Sequence, residues 1–534
     1  MRYICIIGLL FCLVFGYGQE QYKFRVWLTD KKDTAFSLEK PERILSSKAL
    51  ARRARYGIPI DSTDLPVSRR YVEQLKMAGF PVITRSKWLN TVVVSVSDSS
   101  RLDALREFPF VREIELVWEN TAVGGDFFVD TTVPIKKEKG MSSPYGAALW
   151  QISHLEGDRL HSAGFRGKGI TIAVIDAGFL NVDRNPGIDK SRILGTRDFV
   201  ESNSDIYSVH NHGALVLSAM LGEIENVFCG TAPEADYWLL RSEDSNSEYP
   251  VEEDYWAAAA EFADSVGVDV INSSLGYFEF DDPLLNHSYK DFNGESAFIS
   301  KAAKKAVEKG MIVVNSAGNE GRRPWRKIIF PSDVYGVLAV GAIDGEDVSS
   351  DFTGHGYTKN DTVKPDIVAL GTQTALLGVG GEVVKADGTS FSAPVVAGLT
   401  ACLRQALPHL SNKEIVERIR KSATLYNRPD TLLGYGLPRF YEVYARESAL
   451  LSQEHPGEKI CVVSAPEEIL LLRDLPYSSH PYTIDIYSAY GEQLHRYFHE
   501  SGEQVIPLQS LPSGLYFILV MGDNFRKIQK MIKK

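Results

Sequence analysis

Cysteine is scarce in this chain. There are five in 534 residues, with Cys5 and Cys12 near the start and only Cys229, Cys402 and Cys461 beyond. An odd, widely spaced trio makes no disulfide framework, so packing has to hold the fold. Each of the three reads as a small buried apolar residue. Excess positive charge is missing too. The net charge is −11 and the pI about 5.6, which argues against a sequence-independent nucleic-acid binder with its basic face. No Gly-rich phosphate loop follows a first strand, which disfavours an intracellular nucleotide-binding α/β enzyme. Internal repeats and long low-complexity tracts are absent, and past the first segment no apolar run is long enough to cross a membrane.

What is present is an ordinary globular composition, 44% hydrophobic and 24% charged, at a length that suggests about three to four domains. The opening MRYICIIGLLFCLVFGYGQ has one Arg, an apolar stretch from Tyr3 to Tyr17 and then Gly18. The stretch falls short of the ~20 residues a span requires, so residues 1–18 are expected to be a cleaved signal peptide and not a membrane anchor. Residues 19–118 form a first unit. Tyr22–Leu28, Pro81–Ser86, Thr91–Val96 and Phe110–Val117 pattern as strands, and Ser46–Tyr56, Arg69–Gly79 and Ser99–Phe108 as helices. The order describes a small α+β module of ferredoxin-like type. Residues 119–144, with the charge run at 136–139, read as an exposed linker open to proteolysis.

From 145 to 448 short apolar runs alternate with helical segments. Strands are expected at Ile170–Ile175, Tyr237–Leu240, Val268–Ile271, Met311–Val314 and Val337–Val340, with helices at Gly213–Leu221, Glu252–Val266 and Phe298–Lys309. This predicts an α/β fold, a parallel sheet with helices on both faces. Functional residues should follow the carboxyl ends of its strands. Residues 458–534 show short strands at Tyr482–Tyr487, Glu503–Leu508 and Gly514–Val520 with a turn at Tyr490-Gly491, a small β-sandwich.

Three segments carry chemistry. In GITIAVIDAGF an apolar strand runs into Asp176, where an acid is expensive to bury without a partner; the bland alternative is a solvated loop acid. In HNHGALVLSAMLG, His212 precedes the buried stripe Leu215, Val216, Ala219, Met220 at a helix start, with His210 as a rival. In DGTSFSAPVVAGLTACLRQAL, Ser390 stands before a helix expected to begin near Pro394. Ser390 and Ser392 are either N-caps or, for Ser390, a nucleophile favoured by the positive helix end.

The order Asp, His, Ser with these flanks resembles the subtilisin (subtilase) family of serine proteases. The matching stretches are Val174-Ile175-Asp176-Ala177-Gly178, His212-Gly213-Ala214-Leu215-Val216 and Gly388-Thr389-Ser390-Phe391-Ser392-Ala393-Pro394, with a fourth at Ser316-Ala317-Gly318-Asn319-Glu320-Gly321. The resemblance implies a catalytic triad of Asp176, His212 and Ser390 and an oxyanion donor in Asn319, which by itself would read as a turn Asn. It implies that peptide substrates lie against Asn272-Ser273-Ser274-Leu275-Gly276, with Ser274, Leu275 and Gly276 as contacts, and against Ser316, Ala317 and Gly318. Ile329 would sit at the base of the main specificity pocket and make it shallow. Ala177 and Ala214 depart from the family, which favours hydroxyl residues there. No cofactor is required. Many members bind calcium, but the acidic loop 279–295, with Asp281, Asp282, Asp291 and Glu295, has no recognisable calcium-loop spacing. No metal ligand is therefore assigned.

The first unit resembles the family's inhibitory propeptide in position and element order; a permanent binding domain is the alternative. The last unit resembles the sorting domain of type IX secretion substrates through Ile484-Asp485-Ile486-Tyr487, Leu511-Pro512-Ser513-Gly514-Leu515-Tyr516 and Lys530-Met531-Ile532-Lys533-Lys534. The implied partners are protein or peptide substrates, the chain's own propeptide and the type IX machinery, with no nucleic acid and no permanent membrane span. The implied location is extracellular or at the cell surface. The competing function is a non-catalytic surface protein of the same fold that only binds peptides.

Overall fold

The computed structural model describes residues 22–34, 36–120, 132–134, 143–358 and 362–453, then 463–464, 469–472, 482–499, 504–508, 510–522 and 525–533. The expected signal peptide, the charge run 136–139, most of the linker and Cys461 lie outside the described residues.

The first unit places strands β1 (Tyr22–Leu28), β2 (Val82–Ser86), β3 (Thr91–Val96) and β4 (Val111–Glu119) in the antiparallel order β2-β3-β1-β4. With helices α1 (Ser47–Tyr56), α2 (Arg69–Met77) and α3 (Leu102–Arg106), this is the expected ferredoxin-like arrangement. Helices α2 and α3 bury Val72, Leu75 and Leu105 against Phe24, Val26, Val92 and Val94 of the sheet. Helix α1 contributes nothing to that core. Its buried residues are Ala49, Arg52 and Arg53.

The next domain is built on seven parallel strands. They are β5 (Thr171–Asp176), β6 (Ile193–Asp198), β7 (Asp236–Arg241), β8 (Val270–Ser273), β9 (Ile312–Ser316), β10 (Leu338–Ile343) and β11 (Ile367–Leu370). Their order is β11-β10-β9-β8-β5-β7-β6. Successive side chains of a strand face opposite ways. Thus Ile172 and Val174 of β5 join one core with helices α4 (His212–Leu221) and α7 (Thr389–Ala406), while Ala173 and Ile175 join another with α5 (Val251–Val266) and α6 (Phe298–Glu308). Helix α8 (Asn412–Ser422) adds Ile415 and Ile419 to the first core.

Two departures from expectation have clear causes. The edge strands β6 and β11 were not foreseen. β6 reads ILGTRD and is only half-buried, and β11 is four residues long, so neither shows the long apolar run of a doubly covered strand. Helix α7 begins at Thr389, five residues before Pro394. Proline lacks the N–H that would bond the carbonyl four residues back, here that of Ser390. That carbonyl instead accepts the Ser274 hydroxyl at 2.8 Å, so the first turn survives ahead of the proline.

Cys229 and Cys402 are free and buried. Burial pushes the Cys229 thiol up to about 11 and the Cys402 thiol higher still, which leaves both as inert core residues. The C-terminal unit, from Ala445 on, holds two antiparallel sheets. One contains Val463–Ser464, Ile469–Leu472 and Gln504–Pro507, the other Tyr482–Ser488, Gln493–His499, Gly514–Gly522 and Phe525–Lys533. Tyr482, Ile484, Ile486, Ile506 and Ile518 share one core.

Helix α4 approaches the turn after β5 so closely that a Cβ on Gly213 would lie 2.4 Å from the Gly178 carbonyl oxygen and 2.9 Å from the Asp176 Cβ. Gly213→Ala should destabilise the domain by about 1–3 kcal/mol, the usual result of overpacking. An unchanged urea midpoint would contradict this.

Candidate active site

Asp176 ends β5 and is fully buried. Its Oδ1 accepts the backbone N–H of Ala177 at 2.8 Å and lies 2.6 Å from Nδ1 of His212, the first residue of α4. Among the described residues Oδ2 has no hydrogen-bond partner, at the turn where Ala177 offers no hydroxyl. The rival His210 has a different place. Its Nδ1 accepts the His212 backbone N–H at 3.2 Å, supporting the loop that presents His212.

Ser390 is the second residue of α7, with Gly388 as N-cap, so neither Ser390 nor Ser392 caps the helix. The Ser390 hydroxyl donates to the Ser274 carbonyl at 3.3 Å, and the ring of the next residue, Phe391, lies 5.9 Å from the His212 ring. The structure therefore brings all three expected residues to the carboxyl rim of the central strands.

Asn319 is exposed in the cleft wall. Its Oδ1 accepts both the N–H and the hydroxyl of Thr389, at 2.9 and 3.0 Å. That orientation leaves its amide N–H groups as donors near Gly388. The Thr389 hydroxyl also accepts the Gly318 N–H at 3.1 Å, tying the two loops together. This anchoring role of Thr389 is not visible in sequence.

The two segments expected to hold substrate differ. The Gly276 N–H and carbonyl carry no hydrogen bond among the described residues, so this backbone is open to an added strand. The carbonyls of Ser316, Ala317 and Gly318 are already taken by Ser332, Ile329 and Gly354. These three residues form a wall, not an open edge. Leu275 is buried and its carbonyl accepts Asn315. Ile329 fills the gap between the segments. A Cβ on Gly276 would lie 2.5 Å from its side chain, and one on Gly318 2.8 Å.

A buried carboxylate group beside the site escaped the sequence reading. Oxygens of Glu243, Glu248 and Glu252 lie within 4.8 Å of one another, near enough to share a proton or a cation. The available signal was three Glu residues spaced five and four apart just past the carboxyl end of β7. Tyr277 and Ser242 donate hydroxyls to Glu243, and Glu252 accepts the N–H groups of Asp244 and Tyr249. Burial pushes Glu243 up to about 7 against these bonds, and burial with mutual repulsion raises Glu248 and Glu252 well above the usual carboxyl range. The acids of the 279–295 loop have local duties. Asp281 accepts the Glu248 N–H, Asp282 and Asp291 cap short turns, and Glu295 pairs with Lys304.

Residues 167–436, just over half of the chain, match the model of the subtilase family. Residues 23–127 match the Bacteroidota propeptide domain of the same peptidases, and 472–534 match a secretion system C-terminal sorting domain. The thermostable alkaline protease of Halalkalibacterium halodurans is 27% identical over 289 residues, 54% of this chain and 71% of that one. Subtilisin Savinase of Lederbergia lenta is also 27% identical, over 54% of this chain and 95% of that one. A crystal structure of MycP1 with its N-terminal propeptide removed superposes with a TM-score of 0.45 at 24% identity, covering 55% of this chain and 96% of that one.

The chain belongs to the subtilase family of serine-type endopeptidases. Its propeptide and type IX sorting domains mark it as a zymogen destined for secretion or the cell surface.

A carboxyl raised in the folded state binds a proton that the unfolded chain has released, so its contribution to stability falls as pH rises. For Glu243 that window runs from the ordinary 4.5 to about 7. Glu243→Gln should flatten the fall in stability between about pH 5 and 7 and raise the urea midpoint at pH 8. A pH slope equal to wild type would refute this.

Proposed function

We propose that this chain is a secreted endopeptidase that cuts peptide bonds through Ser390, His212 and Asp176 by way of an acyl-enzyme. The observation that carries this reading is the buried 2.6 Å contact between His212 Nδ1 and Asp176 Oδ1, set at the rim where Ser390 opens α7. His212 takes the Ser390 hydroxyl proton as Oγ bonds to the substrate carbonyl carbon. It then gives that proton to the departing amine as the C–N bond breaks. A water molecule, deprotonated by His212, then bonds to the acyl carbon, the C–Oγ bond breaks, and His212 returns the proton to Ser390 Oγ. Asp176 fixes the tautomer and stabilises the charged ring. The Asn319 side-chain amide and the Ser390 N–H meet the developing oxyanion. No cofactor takes part. The substrate pairs as a strand with Gly276, and Ile329 restricts the residue before the cut to small side chains.

Export follows from the two ends. Residues 1–18 carry the chain across the inner membrane, and 458–534 engage the type IX machinery at the outer one. The propeptide 19–118 assists folding and blocks the cleft until 119–144 is cut.

A fluorophosphonate probe should label the mature enzyme and fail on Ser390→Ala; a labelled alanine variant, or an unlabelled wild type, favours a protein that only binds peptides. Asn319→Ala should lower kcat by about 10²–10³ and change KM little.

Ile329→Gly should shift peptide-library cleavage from small residues toward aromatic ones before the cut. An aromatic preference already present in the wild type would reject the shallow pocket.

A further inference from the structure

A ferredoxin-like unit needs one helix between β1 and β2, and α2 fills that place. The insertion 36–66, which contains α1, is therefore surplus to the propeptide's own fold. It packs on the catalytic domain, at the rim opposite the triad. Arg52 and Arg53 both bond the Asp264 carboxylate near the end of α5, Arg53 at 2.8 Å. Arg53 also reaches Asp64 at 3.0 Å, and Asp64 in turn accepts Lys309, the residue just after α6, at 2.9 Å. The Arg52, Arg53, Asp64, Asp264 and Lys309 side chains are each at most 4% exposed. Lys48 pairs with Asp269 at 2.7 Å and donates to Thr171, the first residue of β5, at 2.6 Å. Tyr56 donates to Asn412 of α8.

The catalytic domain is shaped to receive this segment. A Cβ on Gly267 would lie 2.7 Å from the Lys48 side chain, and one on Gly310 2.5 Å from Ile58. Asp264, Asp269 and Thr171 sit at the amino ends of the strands, and Asp176, Ser274 and Asn319 at the carboxyl ends. At the latter end, β4 finishes with Trp118 packed on Tyr249, 6.3 Å between ring centroids. The first unit thus holds the catalytic domain at both rims of its sheet.

We propose that the insertion 36–66 is a latch that keeps the propeptide bound to the catalytic domain by the rim remote from the cleft, so that the latch, and not the cleft, sets the rate of propeptide release after the linker is cut. A buried ion pair that loses one partner leaves an uncompensated charge. Release through this latch therefore requires Arg52 and Arg53 to part from Asp264 and Asp64 to part from Lys309 together, with Asp264 and Lys309 left to rehydrate, while Arg53 and Asp64 leave as a pair.

The test uses the full chain carrying Ser390→Ala, which prevents self-digestion, with a sequence-specific protease site in place of residues 136–139. After cutting, the dissociation of the N-terminal fragment from the rest is followed by size exclusion and by its off-rate from immobilised catalytic domain. The fragment should stay bound with the latch intact, and Arg52→Gln with Arg53→Gln should speed release at least about tenfold. Lys48→Met, which removes one partly exposed pair, should give a smaller acceleration and decides the matter if the double variant does not fold. Release from the intact latch as fast as from the variants, or no acceleration in Lys48→Met, would overturn the proposal. Neither measurement depends on catalysis, so failure of the triad assignment would leave the result readable.

Discussion

An all-parallel sheet covered on both faces leaves its polar side chains few places to go. The apolar residues of β5, β8 and β9 all meet a helix layer, and a polar group among them would be heavily penalised. Chemistry is confined to the ends, where strands become loops and backbone groups are released from the ladder. The four neighbouring strands β9, β8, β5 and β7 deliver Asn315 to Asn319, Ser274 to Gly276, Asp176 and Glu243 to a single rim. The seven-strand order, more than any one contact, brings together segments that lie far apart in the chain.

Within that frame the position of Ser390 rests on a missing hydrogen bond. Pro394 cannot bond the Ser390 carbonyl, and Ser274 takes it instead. The Ser390 hydroxyl points back to the Ser274 carbonyl, so the two serines bracket each other across α7 and β8. The helix start contributes the Ser390 N–H, which carries no hydrogen bond among the described residues, and a positive dipole end, which favour negative charge at that spot. Asn319 is held by Thr389 from the same turn, so Asn319 and Ser390 are fixed by a common piece of backbone.

The parts of this molecule that could be read from sequence were those with one dominant signal. A doubly buried strand such as TIAVID is a near-continuous apolar run, and its end pointed to Asp176, whereas the Ser274 segment was reached only through the family resemblance. Amphipathic α2 and the alternation of β1 sufficed for the first unit. The half-exposed edge strand β6 carries no such signal. The start of α7 was misplaced because local preference favours Pro394 in a first turn, whereas the tertiary bond from Ser274 lets the helix begin at Thr389. The carboxylates 243, 248 and 252 carry no joint signal in sequence, with Glu252 at the start of an expected helix, since only the fold reveals that they face one another. The latch residues Arg52 and Arg53 look like a solvated helix face until Asp264 is brought against them.

Helix α5 links these observations. Its first turn carries Glu252, Glu253 and Asp254, where the dipole favours acids, and its later turns carry Glu261 and Asp264. The propeptide answers along this length. Arg25 meets Asp254 at 2.6 Å, Ser86 and the N–H groups of Lys87 and Trp88 meet Glu261, and Arg52 and Arg53 meet Asp264. The propeptide covers these carboxylates and at the same time supplies the partners that offset their desolvation. The same acids, once exposed, are well hydrated, so a mature enzyme has little to lose after the propeptide leaves. An interface of paired charges, unlike one of purely apolar contacts, therefore suits a propeptide that later departs.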